Sequence, residues 1–295
     1  MDVYKLGDLI LGKAIAEAKL KEIGLAYKKL STEISNDVDC RPPGLSIIIV
    51  GNDQASKIYV SSKDRACARL GFSGKVYAFP ETVTSESIIS EINRLNVDPS
   101  VHGILIQLPL PAHISSAAVI NSVIPEKDVD GISCVNSGML SNGETPFHIP
   151  CTPHGVIELI KSTGKPISGT RSVVIGRSRI VGKPTAILLI SEDSTVTVAH
   201  SKTSDLKALT LSADILVSAI GRPEFITADY IKNGAIVIDV GINRSNGKLV
   251  GDVHTESVLK MASHVTPVPG GVGPMTIAML MENTFNSWKR FNNIS

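Results

Sequence analysis

The sequence lacks the features that would send it to several large classes of protein. It has 4 cysteines in 295 residues, at Cys40, Cys67, Cys134 and Cys151, with no CxxC pair. That excludes a disulfide scaffold or a thiolate zinc site and leaves small buried or half-buried thiols in a reducing compartment. The 7 histidines are scattered, without HExxH-like spacing, so no metal is expected. Neither sign of charge is in excess, with 29 basic against 28 acidic residues, so nothing suggests a nucleic-acid or acidic-surface partner. No apolar run approaches transmembrane length, so no membrane partner is expected, and MDVYKLGD at the start lacks the basic and apolar segments of a signal peptide. Internal repeats and low-complexity tracts are absent too. The expectation is a soluble, cytoplasmic chain, long enough for two domains that each bury a core.

What is present is an alternation of apolar runs and helical patterns. A long amphipathic helix is expected from about Asp8 to Ile34, interrupted at Gly24. GLSIIIV (Gly44–Val50) follows, a β-branched run that reads as a strand buried on both faces. Next come a helix from Ser56 as N-cap to about Leu70, a weak strand near Lys75–Ala78, a helix over Thr84–Leu95 and a strand Ile104–Gln107. After prolines at 146, 150 and 153 a second series begins: SVVIG, TVTVAH, DILVSAIG and AIVIDVGI, from Ser172 to Ile242, then a terminal helix over about Pro274–Asn292. The pattern predicts an α/β protein with parallel sheets and helical crossovers, divided near residue 150.

Three stretches of the first half carry polar groups at strand ends. Tyr59 and Lys63 sit at i and i+4 on the helix after the first buried strand, so they share a face just beyond the strand's carboxyl end. HGILIQLPLP ends its strand in Gln107, and PEKDVDG carries Asp128 and Asp130 in a segment too rich in turn formers for a regular helix. An amine, an amide, a phenol and a carboxylate converging from separate loops make a polar pocket with acid–base potential. In the second half, SVVIG leads into GRSRIVGKP, a strand–turn–helix of the dinucleotide-binding kind whose helix start offers free N–H groups. Gly176 and Gly182 stand further apart than in GxGxxG. The second strand of this series ends Ala199-His200-Ser201-Lys202, without the acid that grips a ribose 2′-hydroxyl. With Arg177 in the preceding turn, this favours NADP, its 2′-phosphate held by Arg177 and Ser201. Gly221 and Gly241 follow the next two strands, either for close approach of a ligand or as plain tight turns, and Asp239 in its apolar strand reads as a hydrogen-bonded structural carboxylate.

YVSSK, GILIQLPLP, PEKDVDG, GRSRIVGKP and TPVPGGVGPMT, in this order and spacing, resemble the bifunctional methylenetetrahydrofolate dehydrogenase/methenyltetrahydrofolate cyclohydrolase family nearly end to end. The resemblance implies an N-terminal folate-binding catalytic domain over 1–150, completed by a C-terminal helix (about 274–295) that returns to it. A Rossmann-like NADP-binding domain would span 151–273, and the chain would form a homodimer. It implies NADP-dependent oxidation of 5,10-methylenetetrahydrofolate and then hydrolysis to 10-formyltetrahydrofolate, with Lys63, Gln107, Tyr59 and Asp130 as catalytic residues. Local turn chemistry leaves Asp128 and Asp130 equally placed to grip the pterin, and the resemblance favours Asp130. Tyr59, Pro269, Gly270 and Gly271 would line the folate, and Gly176, Arg177, Ser178, Ser201, Gly221 and Ile242 the cofactor. The alternatives are a dehydrogenase that has lost the hydrolytic step and a non-catalytic nucleotide-binding protein. The intact set of polar groups weighs against both.

Overall fold

The computed structural model describes residues 7–34, 41–245 and 247–294. Cys40 lies outside the described residues. The chain divides into two compact units, Glu17–Cys151 with the residues from Ile277 on, and the residues up to Ala16 with Thr152–Thr276. The first strand, β1 (Asp8–Leu9), accounts for the opening residues joining the second unit. It pairs in parallel with a strand some 250 residues later, too short and too remote a pairing for sequence periodicity to reveal.

Helix α1 (Gly12–Ile34) runs unbroken through Gly24, against expectation. The glycine serves packing there: a Cβ would stand 3.3 Å from the Leu70 side chain. Strand β2 (Gly44–Val50) is buried at every position. Helix α2 (Gln54–Leu70) is capped by Asp53, not Ser56: Ser56 N–H donates to Asp53 Oδ2 at 2.7 Å, and Gly71 closes the far end in the left-handed conformation. Strand β3 (Ser73–Phe79), helix α3 (Ser85–Val97) and strand β4 (Gly103–Ile106) complete a parallel sheet in the order β3-β2-β4. The chain leaves central β2 for one edge and returns to the other, so the switch point lies between β2 and β4, where open α/β sheets hold their ligands. Two short helices follow, α4 (Ser116–Asn121) and α5 (Cys134–Ser141), the second with no counterpart in the sequence reading. Ile48, Ile88, Ile92, Leu95, Ile104 and Val119 lie at the centre of this unit's core.

Helix α6 (Cys151–Lys161) leads into the second unit, where strands β5 (Arg171–Ile175) and β6 (Thr195–Ala199) flank helix α7 (Gly182–Ser191). Helix α8 (Leu206–Leu211), strand β7 (Ile215–Ser218) and strand β8 (Ile236–Asp239) come next. A small hairpin, β9 (Asn243–Ser245) with β10 (Lys248–Val250), precedes helix α9 (Thr255–Val258) and strand β11 (His264–Val265). The sheet order is β1-β11-β8-β7-β5-β6, with every pairing parallel. Its switch point lies between β5 and β7. The last helix, α10 (Val272–Phe291), ends among the residues of the first unit, with Trp288 fully buried. No helix among the described residues is long and apolar enough to cross a membrane.

Candidate active site

At the switch point of the first unit, β4 runs beside β2, and Gln107 N–H donates to Ile48 O at 2.8 Å as β4 ends. Gln107 Nε2 donates to Leu108 O at 2.8 Å, which turns the amide oxygen toward Lys63; Nζ donates to it at 2.9 Å. An amide oxygen only accepts, so this bond uses one N–H of the lysine whether or not the amine is charged, and it directs the rest of the nitrogen. Lys63 is 9% exposed. Burial lowers its pKa, while the negative charge of Asp130 resists the shift. Tyr59, one turn earlier on α2, is half-buried and takes no part in the Gln107 bonds; burial raises its pKa, so the phenol stays protonated at neutral pH.

The PEKDVDG segment lies alongside β4 through an isolated bridge between Ile104 and Asp128. The approach is close enough that a Cβ on Gly103 would stand 2.7 Å from the Val129 side chain. Here the two aspartates part. Asp128, 3% exposed, accepts from Ser133 N at 2.8 Å, Ile132 N at 3.3 Å and Asn136 Nδ2 at 2.9 Å, so it organises the entry to α5. Burial outweighs these bonds and pushes its pKa up to about 6. Asp130 remains partly accessible; burial raises its pKa and the Lys63 charge opposes the rise. The Lys63–Asp130 pair is therefore driven toward its uncharged forms by burial and held toward its charged forms by mutual attraction, a balance that a ligand can tip.

Two residues of this neighbourhood escaped the sequence reading. Asn283 on α10 is 4% exposed, and its Nδ2 donates to Val129 O and Ile149 O, both at 2.9 Å, clamping the residue before Asp130. Cys151 is buried at the start of α6, its thiol donating to Val129 O at 3.2 Å. Burial first, then the Asp130 charge, push that thiol well above its ordinary pKa, so it is no nucleophile. A polar residue inside an apolar helix, as in MLMEN, was the available signal for Asn283. Of the other cysteines, Cys67 is buried with a pKa near 12 and Cys134 is exposed, not sheltered as expected.

In the second unit the expected cofactor residues line up along the carboxyl ends of neighbouring strands. Gly176 N–H donates to Ala199 O at 2.9 Å, so the turn bearing Gly176, Arg177 and Ser178 adjoins the turn bearing Ser201. Arg177, Ser178 and Ser201 are all exposed. The helix start does not offer its N–H groups bare: Ser178 Oγ accepts from Val181 N and Gly182 N, both at 3.2 Å. The hydroxyl keeps its own proton to donate, polarised by the positive end of α7, which suits an anionic ligand. Gly176 and Gly182 serve the turn's own closure; a Cβ on Gly182 would stand 2.2 Å from Gly176 O, and one on Gly176 2.4 Å from Ala219 O. Gly221 has φ +72° and open space around it, a tight-turn glycine. Ile242, in the loop that follows β8, is 48% exposed. Pro269, Gly270 and Gly271 form the turn before α10, with Gly270 at φ +103° and its carbonyl accepting from Lys13 N at 2.8 Å. Asp239 is the structural carboxylate expected, accepting from Gly241 N, Asp252 N and Val253 N. Exposed hydroxyl and guanidinium donors on a glycine-closed βα turn fit a phosphorylated dinucleotide. Among the described residues no group of three or more His, Cys, Asp or Glu side chains is arranged to hold a metal.

The chain matches known proteins over most of its length. Residues 10–130 match the family model "Tetrahydrofolate dehydrogenase/cyclohydrolase, catalytic domain", and residues 150–292 its "NAD(P)-binding domain". The chain is 50% identical to "Bifunctional protein FolD" of Bacillus anthracis over 283 residues, 96% of each. Among solved structures it resembles the bifunctional FolD of Campylobacter jejuni, at 44% identity and TM-score 0.91, covering 96% of this chain and 98% of that one. It also resembles the Trypanosoma brucei FolD complexed with NADP and an inhibitor, at 41% identity and TM-score 0.92, covering 97% and 98%. On sequence and fold alike, the chain belongs to the tetrahydrofolate dehydrogenase/cyclohydrolase family.

Proposed function

We propose that this chain carries out both reactions of its family with one polar site, oxidising 5,10-methylenetetrahydrofolate with NADP and hydrolysing the methenyl product to 10-formyltetrahydrofolate. The observation that carries the bifunctional reading is the bond from Lys63 to Gln107 beside Asp130. We assign the folate chemistry to the unit of Glu17–Cys151 with the residues from Ile277 on, and the cofactor to the unit centred on Thr152–Thr276.

Asp130, free of the bonds that occupy Asp128, accepts hydrogen bonds from the amino and ring N–H groups of the pterin. Tyr59 offers its ring face to the pterin or benzoyl ring. Bound NADP⁺ would supply the acceptor for the hydride lost from the methylene carbon bridging N5 and N10. Little proton traffic accompanies that step, because the folate nitrogens carry the resulting positive charge; the protein contributes orientation. Hydrolysis differs. Water adds to the methenyl carbon, the added oxygen gives up its protons, and a proton reaches the ring nitrogen N5 as its bond to that carbon breaks. Lys63 handles those protons at Nζ, since burial under a cationic ligand brings its neutral form within reach, and Gln107 keeps the nitrogen directed. Arg177 and Ser201 hold the 2′-phosphate, with Ser178 at the pyrophosphate.

The free edge of β3, where Val76 is 41% exposed, supports self-association as a homodimer. Its buried thiols, Cys67 and Cys151, suit the reducing cytoplasm. The deciding experiment follows reduced nicotinamide and the methenyl compound together, with 5,10-methylenetetrahydrofolate and either NADP⁺ or NAD⁺. Reduction with NADP⁺ and little methenyl accumulation is expected. Accumulation at the uncatalysed decay rate would leave a dehydrogenase alone, and equal use of NAD⁺ would remove the role of Arg177 and Ser201.

A further inference from the structure

We propose that Asp252 is a positioning residue for the cofactor, its carboxylate tying the loops after β7 and β8 into one seat for the nucleotide. The proposal rests on NADP binding to the second unit, as assigned above.

Asp252 is fully buried and touches no solvent. Its Oδ2 accepts from Ile220 N at 2.7 Å, Gly221 N at 3.2 Å and Ser218 Oγ at 3.3 Å, and its Oδ1 from Arg222 N and Asn243 Nδ2, both at 2.9 Å. Ile220, Gly221 and Arg222 lie outside any strand or helix, so the carboxylate supplies the order that a sheet ladder would otherwise give them, as a concave nest of consecutive N–H groups does for an anion. The loop after β8 joins the same knot through Asn243 and through Gly241, where a Cβ would stand 2.3 Å from Asp252 Cγ. Asp239 then fixes Asp252 itself, accepting from its N–H at 3.0 Å and from Gly241 N at 2.9 Å. Gly251 lets the two acids approach; a Cβ there would stand 1.8 Å from Asp239 Oδ2.

The arrangement also selects what the seat accepts. In a trans peptide the carbonyl points opposite to the N–H of the next residue. With the N–H groups of Ile220, Gly221 and Arg222 turned inward to Asp252, the carbonyls of Ala219, Ile220 and Gly221 face away from it. That of Ala219 faces the Gly176 turn at the sheet's switch point. This face offers acceptors to the amide or amino N–H groups of a dinucleotide, while its phosphates go to the donors around Ser178.

The test uses the full-length Asp252→Asn variant, of equal size but with an amide that sets its own N–H groups against those donors. Binding of NADP⁺ by titration calorimetry should weaken on the order of tenfold or more, as expected for losing bonds to a charged group. Hydrolysis of methenyltetrahydrofolate, which needs no cofactor, should stay within about threefold of the wild type; this separates a positioning role from general fold support. Amide exchange at Ile220–Arg222 should quicken in the variant without cofactor. Unchanged NADP⁺ affinity, or loss of hydrolysis in step with it, overturns the role of Asp252. A wild-type chain that binds neither NADP⁺ nor NAD⁺ overturns the cofactor assignment instead.

Discussion

The two units share a plan and differ in what they place on it. Each has a parallel sheet whose chain order reverses, between β2 and β4 in one and between β5 and β7 in the other. At the first reversal stand side chains that titrate, Lys63 and Asp130, with Gln107 to direct the lysine. At the second stand backbone turns, hydroxyls and a guanidinium, with the acids Asp239 and Asp252 buried behind the loops. A shared architecture thus supports proton transfer in one unit and shape-selective holding in the other, according to whether the strand ends are followed by ionisable side chains or by glycine.

The contrast makes predictions that can break it. Replacing Lys63 with Met should cut cyclohydrolase activity by about 10³-fold, within the usual range for a general acid–base group. Dehydrogenase activity should stay within about tenfold, as read by reduced nicotinamide formation. Parallel loss of both would make Lys63 a binding or folding residue. Gly176→Ala should be nearly as severe on the other side, because its Cβ meets Ala219 O at 2.4 Å. NADP⁺ affinity should collapse while hydrolysis survives, and intact NADP⁺ binding would show that the turn tolerates the methyl group. Asp130→Ala should raise the folate KM on the order of tenfold to a hundredfold; if only Asp128→Ala did so, the pterin contact would move to Asp128.

A subtler test uses pH. Burial lowers the Lys63 pKa, and the proposed hydrolysis uses the neutral amine. Hydrolysis should therefore rise with pH through that lowered value and level off below the ordinary lysine range. The dehydrogenase step should lack this limb, and identical pH–rate profiles would sever Lys63 from hydrolysis. The smallest effect is expected from Arg177→Ala, about a tenfold loss in preference for NADP⁺ over NAD⁺ in kcat/KM.

Much of this was legible in the sequence because it is local. Buried parallel strands announce themselves as apolar runs, and the polar groups that end them, Gln107 and the Gly176 turn, sit at fixed offsets. The Tyr59–Lys63 pairing follows from helical spacing alone. What escaped depends on distance along the chain. Asp252 acts on loops some 30 residues earlier and Asn283 on carbonyls more than 130 residues earlier, and nothing beside either residue shows the partner. β1 was hidden for the same reason. Local turn chemistry suits both Asp128 and Asp130, and apart from the family resemblance it is the position of the α5 entry, with Ser133 and Asn136 at hand, that distinguishes them. The cap of α2 was misplaced by three residues because Asp53 and Ser56 are both good caps, and the fold uses Asp53 as acceptor and Ser56 as donor.

The single tryptophan has an optical consequence. Trp288 is wholly enclosed, stacked on Phe285 with centroids 5.7 Å apart, edge-on to Tyr27, and its indole N–H donates to Arg41 O at 2.7 Å. Emission excited at the red edge of the ultraviolet band therefore comes from one place, the carboxyl-terminal helix seated on the unit that holds Lys63. A red shift during denaturation marks the moment that helix lets go. Set against far-ultraviolet dichroism, which averages over the whole chain, it would tell whether the tail detaches before the sheets dissolve or together with them.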